Sequence, residues 1–600
     1  MRLGIGARER LALVGAALLQ FVWSFQGLAG AWTRGHNGFG GAAYHQAARN
    51  GLRFDLLWPW QWSTELRPPA PAELYVHHPP ALHWFDMLSL ASFGDHNWAI
   101  RLVPALHSFA AIFVLWALLR RFWGREHAIL GVWIYALLPI NAIYSNMPVP
   151  SPGFMLWGMA FAYAYLAYQQ AERCPGLCPP PLPPPCPAQA VESGPGSGAP
   201  SGEGSGSSWP AFAALLLTFA LAALWDWPAY YLAFGLALHW LATLLARARA
   251  GARLGGALWR WLLFCAWVLF LFGGHFYAVH LLLGDIGHLH ETFSARQQVP
   301  EGAFARHLLR VPPLMFTLPV LLLGALWLLF WPLRRRKRGP CPRDAIPLAF
   351  AFGGLLHFFL FKWSAIVHSY WAWNLNPYMA IALPGVLLGA IGWLRGRWPE
   401  GRRAPILAVS LIALALLPLA HRIVFLVPRA RHAGGSMWFV SKARTDTPER
   451  YDAGRPELLF AEKVKEWTDR RTGVWIHSSF DRFRTEQRVE VTMDRVWRRS
   501  RTIRPRALQG AGLDGWVVIG VVDTVPRPEV LAMARQHPYR QVGNFFMLDL
   551  RREGSEVRIY ELEEQPMSLD WAFLHTPFEA PLAPRRDETA EASMRRALER

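Results

Sequence analysis

Cysteine and acidic residues are both scarce in this chain. Five cysteines among 600 residues are too few for a disulfide framework, which excludes the small disulfide-rich secreted domains. Acidic residues number 42 against 61 Lys and Arg, for a formal charge of +19. Such a charge is compatible with nucleic-acid binding. Here the basic residues follow apolar segments, where topology signals and lipid headgroups explain them, so we expect no nucleic-acid partner.

Charged residues make up only 17% of the chain, while 53% is hydrophobic and 14% aromatic. About eleven apolar stretches have the length that a bilayer requires. They centre on residues 10–30, 99–119, 128–147, 152–170, 209–225, 228–246, 257–282, 313–333, 345–365, 375–394 and 404–425. The sequence therefore predicts a polytopic α-helical membrane protein.

The distribution of basic residues predicts an orientation. With the N-terminus in the cytoplasm, the inside loops receive most Lys and Arg, including the run from Arg334 to Arg338, as the positive-inside rule expects. Eleven spans then place the C-terminal segment outside. Ala29-Gly30-Ala31 resembles a signal-peptidase site, but we favour an uncleaved first helix, since its removal would take away the starting anchor.

Composition divides the chain into five parts. A membrane block (1–172) with a long first external loop (32–97) precedes a Pro/Gly/Ser-rich segment (173–208), expected to be a disordered cytoplasmic linker. A second membrane block (209–425) follows. Apolar runs then stop, and a helical pattern at 456–470 alternates with strand patterns at 473–478, 515–522, 542–550 and 557–562. A further helix is expected at 528–537. We expect an extracytoplasmic α/β domain (426–580) and a charged tail (581–600).

The segment His77-His78-Pro79-Pro80 is the most informative local pattern. Each proline restricts its own backbone and that of the residue before it. The first external loop thus presents two imidazoles in a set direction. An imidazolium suits a phosphate, and a neutral imidazole suits a metal or a proton transfer.

These features resemble the GT-C glycosyltransferases that use polyprenyl-phosphate sugars, the family of protein O-mannosyltransferases and lipid A aminoarabinose transferases. The matching parts are a long first external loop, a basic residue before Pro-Pro, Trp98 to Leu102 after Phe93-Gly94, and His368 to Trp371 with Pro377. The trailing external domain also fits. The resemblance covers roughly residues 5–425 by architecture.

The resemblance implies roles for particular residues. The donor phosphate is expected to contact His78, with His77 beside it, and Arg101, and we add Arg296 from a later external loop. Substrate-binding candidates are Asn37, Tyr44, His368 and Tyr370. The family's catalytic base is an acidic residue early in the first external loop, where this chain has no Asp or Glu before Asp55. Asp55, Glu65, His36 and His45 are therefore the candidate bases.

Each assignment has a structural alternative. The paired histidines can cap an interfacial helix, Arg101 can be an anchor at the membrane surface, and His368 with Tyr370 can belong to an aromatic belt. These alternatives remain open at the level of sequence.

Two functional hypotheses follow. The first is an inverting glycosyltransferase of a bacterial inner membrane that transfers a sugar from polyprenyl phosphate to a lipid, glycan or protein acceptor outside. The second is a degenerate relative that binds lipid-linked sugar or partners another transferase. The family sometimes uses a divalent metal, but no residue pattern here fixes a metal site or a cofactor. A transporter would require internal repeats, and the sequences of the two membrane blocks show no convincing repeat.

Overall fold

A computed structural model gives the structure of most of the membrane region and part of the C-terminal domain. It describes residues 5–30, 32, 36–60, 68–172, 208–299, 302–338, 341–398, 403–427, 455–468, 472–477, 496–500, 515–520, 536–542, 545–549 and 557–560. The chain forms two compact units. The first unit comprises residues 1–22, 107–142 and 150–420, and the second comprises residues 23–106, 143–149 and 421–600.

Helices dominate the described chain up to residue 427. They are α1 (Ile5–Phe25), α2 (His36–Phe54), α3 (Ala81–Phe93), α4 (Asn97–Phe122), α5 (Arg125–Leu137), α6 (Pro139–Tyr144), α7 (Ser151–Ala171), α8 (Trp209–Trp225), α9 (Pro228–Arg249), α10 (Gly255–Leu283), α11 (Gly287–Gln297), α12 (Ala303–Phe316), α13 (Leu318–Arg338), α14 (Pro342–Leu360), α15 (Lys362–Val367), α16 (Asn376–Arg397) and α17 (Arg403–Phe425). Short 3-10 helices cover Pro71–Glu73 and Ser369–Leu375.

Six described helical segments are long and apolar enough to cross a membrane: α4, α9, α10, α14, α17 and the stretch Ser369–Arg397 that includes α16. The pair α12 and α13 makes a seventh if it is counted as one span. Its two helices meet at an angle of 101°, at Thr317, whose φ is +67°. The chain is a multi-pass membrane protein.

The other four expected spans also fold as helices, with less length or more polar residues. α8 has 17 residues, and Leu138 separates α5 from α6, directly before Pro139. α1 carries Arg8, Glu9 and Arg10 near its start. The predicted stretches thus coincide with helices, although their bounds shift. The stretch 313–333 begins inside α12, and the stretch 345–365 runs past the end of α14.

Close helix contacts in the first unit depend on glycine. A Cβ on Gly153 of α7 would overlap the indole of Trp225 on α8. A Cβ on Gly131 of α5 would lie 2.7 Å from the carbonyl oxygen of Ala380 on α16. Both positions let helix axes approach more closely than any side chain would permit, as is usual in membrane helix bundles.

The expected linker begins and ends at neighbouring points. The hydroxyl of Ser208, before α8, donates to Oε1 of Glu172, after α7, over 3.0 Å. Arg260 of α10 also donates to Glu172, and its guanidinium lies 5.0 Å from the ring centre of Trp209. Residues 173–207 lie outside the described chain, as does the expected tail.

The second unit contains residues 32–96, between α1 and α4, which we call the first loop. Its core is formed by buried residues of α2, α3 and α4 together with one tryptophan: Trp32, Ala42, Ala48, Leu90, Ala99 and Ile100. α2 and α3 pack closely at Gly51, where a Cβ would lie 2.6 Å from the sulfur of Met87 and 2.7 Å from the imidazole of His83.

The C-terminal domain has a six-stranded sheet: β1 (Gly473–His477), β2 (Val496–Ser500), β3 (Gly515–Gly520), β4 (Tyr539–Val542), β5 (Phe545–Leu548) and β6 (Val557–Tyr560). The strand order is β2-β1-β3-β5-β4-β6. β1 pairs in parallel with β2 and β3, β5 is antiparallel to β3 and β4, and β6 is parallel to β4. Helix α18 (Arg455–Trp467) precedes the sheet.

The expected α/β character of this domain is confirmed, with two differences in its elements. The stretch 542–550, predicted as one strand, belongs to the hairpin of β4 and β5, because the chain reverses between Val542 and Phe545. The arginine-rich strand β2 had no apolar alternation to reveal it. The helix predicted at 528–537 lies almost wholly outside the described residues.

Candidate active site

The two histidines before Pro79-Pro80 are partly exposed and share an aromatic neighbour. The Tyr75 ring meets His77 edge-on with ring centres 4.9 Å apart, and the His78 ring lies 6.0 Å away. The Tyr75 amide donates to the carbonyl oxygen of Pro59 over 2.7 Å, which connects the segment to the chain that follows α2. Pro79 and Pro80 are buried, so the backbone under the imidazoles is fixed.

Arg101 is buried near the start of α4, with 3% of its surface exposed. One terminal nitrogen, Nη1, donates to the carbonyl oxygen of Leu28 over 2.8 Å and also to that of Gly30. The guanidinium lies 4.0 Å from the ring centre of Trp32, within the range of a cation–π contact. Arg101 therefore fastens the chain that leaves α1 to the start of α4.

A cluster of opposite charges joins α2 to the turn between α3 and α4. Nε2 of His45 lies 2.7 Å from Oδ1 of Asp95, and Nη2 of Arg49 donates to the same oxygen over 3.0 Å. Arg49 also donates to Gln46, whose amide donates to Asn50. His45 and Arg49 are buried, whereas the Asp95 side chain is 35% exposed.

The electrostatics of this cluster favour an ionised Asp95. Partial burial alone would raise the pKa of its carboxyl, but the His45 hydrogen bond and the Arg49 charge outweigh burial and hold that pKa well below its usual range. Burial lowers the pKa of His45 despite its bond to Asp95. A neutral His45 then donates its Nε2 proton to the carboxylate.

α3 buries two further titratable groups. Nε2 of His83 donates to the carbonyl oxygen of Leu56 over 3.1 Å, and burial lowers the His83 pKa to about 4. Asp86 is completely buried, and neither of its oxygens has a hydrogen-bond partner among the described residues. Burial raises the pKa of Asp86 well above its ordinary value, which favours the neutral form of this carboxyl.

The candidate bases chosen from the sequence have differing positions. Asp55 lies just after α2 with a φ of +54°, and the Leu56 amide donates back to the carbonyl oxygen of Gly51 over 3.0 Å. This is the left-handed closure of a helix C-terminus, and the Asp55 side chain is exposed. His36 begins α2, with its side chain outside the described set, and Glu65 lies outside it altogether.

The other candidates are divided between the two units. Tyr44 is buried in α2, and Asn37, also on α2, has an amide oxygen without a hydrogen bond from the described residues. Arg296, in the last turn of α11, belongs to the first unit, as do His368 and Tyr370, whose rings lie 5.3 Å apart. The second unit brings together His77 with His78, and Arg101 with Trp32.

Reasoning from the sequence missed Asp95, Arg49, His83 and Asp86. A signal existed for Asp95, because it follows Gly94 in the short turn between α3 and α4, but its partners lie about fifty residues away along the chain. Among the described residues, no three His, Cys, Asp or Glu side chains are grouped to hold a metal ion.

Comparisons with known proteins give two kinds of match. Residues 77–175, which include both histidines and Arg101, match the sequence profile of a family described as dolichyl-phosphate-mannose-protein mannosyltransferase. Among solved structures, ArnT from Cupriavidus metallidurans bound to undecaprenyl phosphate aligns with a TM-score of 0.52 at 14% identity, over 91% of this chain and 98% of that chain. No curated protein sequence matches.

A second solved protein has the same architecture. The archaeal oligosaccharyltransferase AglB from Archaeoglobus fulgidus, in complex with an inhibitory peptide and a dolichol-phosphate, aligns with a TM-score of 0.52 at 14% identity, over 85% of this chain and 69% of that chain. The apo form of the Archaeoglobus fulgidus oligosaccharyltransferase aligns with a TM-score of 0.51 at 14% identity, over 90% of this chain and 74% of that chain. The fold is that of the GT-C membrane glycosyltransferases.

Proposed function

We propose that this protein is a glycosyltransferase that moves a sugar from a polyprenyl-phosphate donor to an acceptor. The observation that carries the proposal is the match of residues 77–175 to the mannosyltransferase family on a chain with the GT-C fold. The solved ArnT structure contains undecaprenyl phosphate, and an AglB structure contains a dolichol-phosphate. A lipid-linked phosphate is thus the ligand that relatives of this fold hold.

His77 and His78 are proposed to bind the donor phosphate. The leaving phosphate gains negative charge as the glycosidic bond breaks, so a positive or strongly donating group at its oxygens lowers the barrier. Imidazoles supply such donors, and both rings are partly exposed on a backbone fixed by two buried prolines. Arg296 is proposed as a second cation for the same phosphate.

The proposed location is a bacterial inner membrane, with the N-terminus in the cytoplasm and the C-terminal domain outside. The clustering of Lys and Arg in alternate loops supports this orientation. The acceptor is then a lipid, glycan or protein hydroxyl on the outer face. Asn37, Tyr44, His368 and Tyr370 remain the proposed contacts for the substrates.

Purified protein in detergent tests the proposal. Binding of undecaprenyl phosphate and turnover of polyprenyl-phosphate sugars are measured for the unmutated chain, His77→Ala, His78→Ala and the double variant. We expect donor affinity to fall at least tenfold in the double variant, with an unchanged unfolding temperature. His421→Ala is the matched control, because His421 is an exposed histidine on α17. Unchanged donor affinity in the double variant would remove the histidines from the phosphate site.

The absence of an acidic residue between Trp32 and Phe54 favours a second candidate, a degenerate relative that binds the donor without transfer. The same measurements of donor binding and turnover distinguish the transferase from the degenerate relative. Donor binding without turnover, at saturating acceptor, would support the degenerate relative. Turnover would support the transferase.

A further inference from the structure

The proposed reaction needs a group that takes a proton from the acceptor hydroxyl. The described part of the first loop contains four carboxyl groups: Asp55, Glu73, Asp86 and Asp95. A useful base must be reachable by the acceptor and held in a fixed orientation. These two requirements separate the four groups.

Two of them, Asp55 and Asp86, meet at most one requirement, and Glu73 is held by a contact within its own turn. Asp55 is exposed, and none of the described residues forms a hydrogen bond with its carboxylate. Glu73 is exposed, and its Oε2 accepts from the Ala70 amide over 2.7 Å, which caps its own short turn. Asp86 is completely buried and out of reach of an acceptor.

Asp95 meets both requirements. Its two partners, His45 and Arg49, bind the same oxygen, Oδ1, and none of the described residues forms a hydrogen bond with Oδ2. The side chain is 35% exposed, whereas the exposed fractions of the His45 and Arg49 side chains are only 3% and 9%. Asp95 is therefore held by two buried side chains while its own side chain stays partly exposed.

Aromatic contacts connect Asp95 to Arg101. The His45 ring, which binds Asp95, meets the Trp32 ring at 6.1 Å and a steep angle. The guanidinium of Arg101 lies over the same Trp32 ring. The carboxylate of Asp95 and the guanidinium of Arg101 are thus connected through the rings of His45 and Trp32.

We infer that Asp95 is the catalytic base of the proposed transfer, with Oδ2 accepting the proton of the acceptor hydroxyl. This inference rests on the proposed function. The acceptor oxygen forms a bond to the anomeric carbon while the bond between that carbon and the phosphate oxygen breaks. The electron pair of the broken bond leaves with polyprenyl phosphate. The proton on Asp95 then passes to water, which restores the carboxylate.

His45 and Arg49 are positioning residues in this assignment. They are also the titratable and charged side chains among the described residues that act on Asp95. Because they lower its pKa, they keep Asp95 in the ionised, proton-accepting form, although they also make it a weaker base than a free carboxylate. Replacement of Arg49 by Met removes a positive charge and raises the pKa of Asp95. As the pH is lowered, the variant should therefore lose activity at a higher pH than the unmutated protein does.

The simpler alternative is that Asp95 only fastens the turn between α3 and α4 to α2. Asp95→Asn distinguishes the two, because the amide oxygen can still accept from His45 and Arg49 while the group no longer takes up a proton. If Asp95 is the base, Asp95→Asn lowers kcat by about 10²- to 10⁴-fold with donor affinity unchanged, when both are measured well below the unfolding temperature, which falls in either case because buried Arg49 loses its counter-charge. Glu73→Gln is the matched control, since it is the same change at an exposed carboxylate of the same loop.

The experiment measures kcat, donor affinity and unfolding temperature for Asp95→Asn, Arg49→Met, Glu73→Gln, Asp55→Asn and Glu65→Gln. The expected result is a loss of kcat in Asp95→Asn, together with a pH profile of Arg49→Met in which activity falls off at a higher pH on the acidic side. Retention of more than half of kcat in Asp95→Asn would overturn the assignment alone, and loss in Asp55→Asn or Glu65→Gln would transfer the role. Absence of turnover in the unmutated chain with every donor would overturn the proposed function and this assignment together.

Discussion

Replacement of Arg101 by Met separates two roles for this residue, an anchor of the first loop and a ligand of the donor phosphate. In the structure, its Nη1 donates to the carbonyl oxygens of Leu28 and Gly30, and its guanidinium lies over Trp32. Hydrogen bonds from a charged donor contribute about 1.5–3 kcal/mol each. The cation–π contact adds about 1 kcal/mol, and the buried arginine loses part of this sum to desolvation. A net loss of ~3–5 kcal/mol on substitution is the expected result.

The assay is thermal unfolding of the purified protein in detergent. At roughly 2 °C per kcal/mol, Arg101→Met should lower the unfolding temperature by about 6–10 °C. The unfolding temperature of Arg101→Lys should lie between those of Arg101→Met and the unmutated protein, because an ammonium keeps the charge but lacks the planar arrangement of donors. Arg249→Met, at an exposed position of α9, serves as the control.

Donor binding, measured well below the unfolding temperature of Arg101→Met, completes the test. An anchor predicts a loss of stability with nearly unchanged affinity for undecaprenyl phosphate, whereas a phosphate ligand predicts a loss of affinity. A decrease in unfolding temperature of less than about 2 °C would refute the reasoning from buried hydrogen bonds.

Three further predictions concern other parts of the fold. Gly153→Ala places a methyl group where the Trp225 indole lies and should lower the free energy of unfolding by about 1–3 kcal/mol, measured by thermal unfolding. Gly389→Ala is the control, because there is open space around Gly389 and the free energy of unfolding should hardly change. Because burial raises the Asp86 pKa, the folded state holds a proton that the unfolded state releases. Stability should therefore fall as pH rises from the unfolded pKa of about 3.9, and Asp86→Asn should abolish this dependence in pH-resolved unfolding. Deletion of 173–207 with a short glycine bridge should leave the unfolding temperature unchanged, since Glu172 and Ser208 already lie within a hydrogen bond of each other.

Hydropathy predicted the membrane helices well, because a bilayer imposes one length and one composition on every span. It could not predict where a stretch breaks. The expected span 313–333 divides at Thr317, shortly after Pro312-Pro313 in the last turns of α12. Break points depend on backbone conformation rather than on transfer free energy.

The candidate site shows the same division between local and tertiary information. His77 and His78 were found from the sequence because proline restricts the backbone locally. Asp95 was not found, since its significance arises from His45 and Arg49, on a helix about fifty residues earlier. Asp86 has no pattern that distinguishes it from an exposed carboxyl, and only the packing of α3 shows it to be buried.

Polar contacts, rather than apolar packing alone, fix the ends of the first loop. Arg101 binds carbonyls just after α1, Asn146 donates to the carbonyl oxygen of Gln26 over 2.8 Å, and Asp95 binds α2 through His45 and Arg49. Hydrogen bonds are directional and strengthen when water is excluded, whereas apolar contacts tolerate small shifts. These contacts therefore define the orientation of the loop more closely than apolar packing does. Catalytic groups need an accurate position. Asn146→Ala should therefore reduce turnover more than an apolar truncation that lowers the free energy of unfolding equally, such as Leu90→Ala. Equal losses of kcat in the two variants would contradict this reasoning.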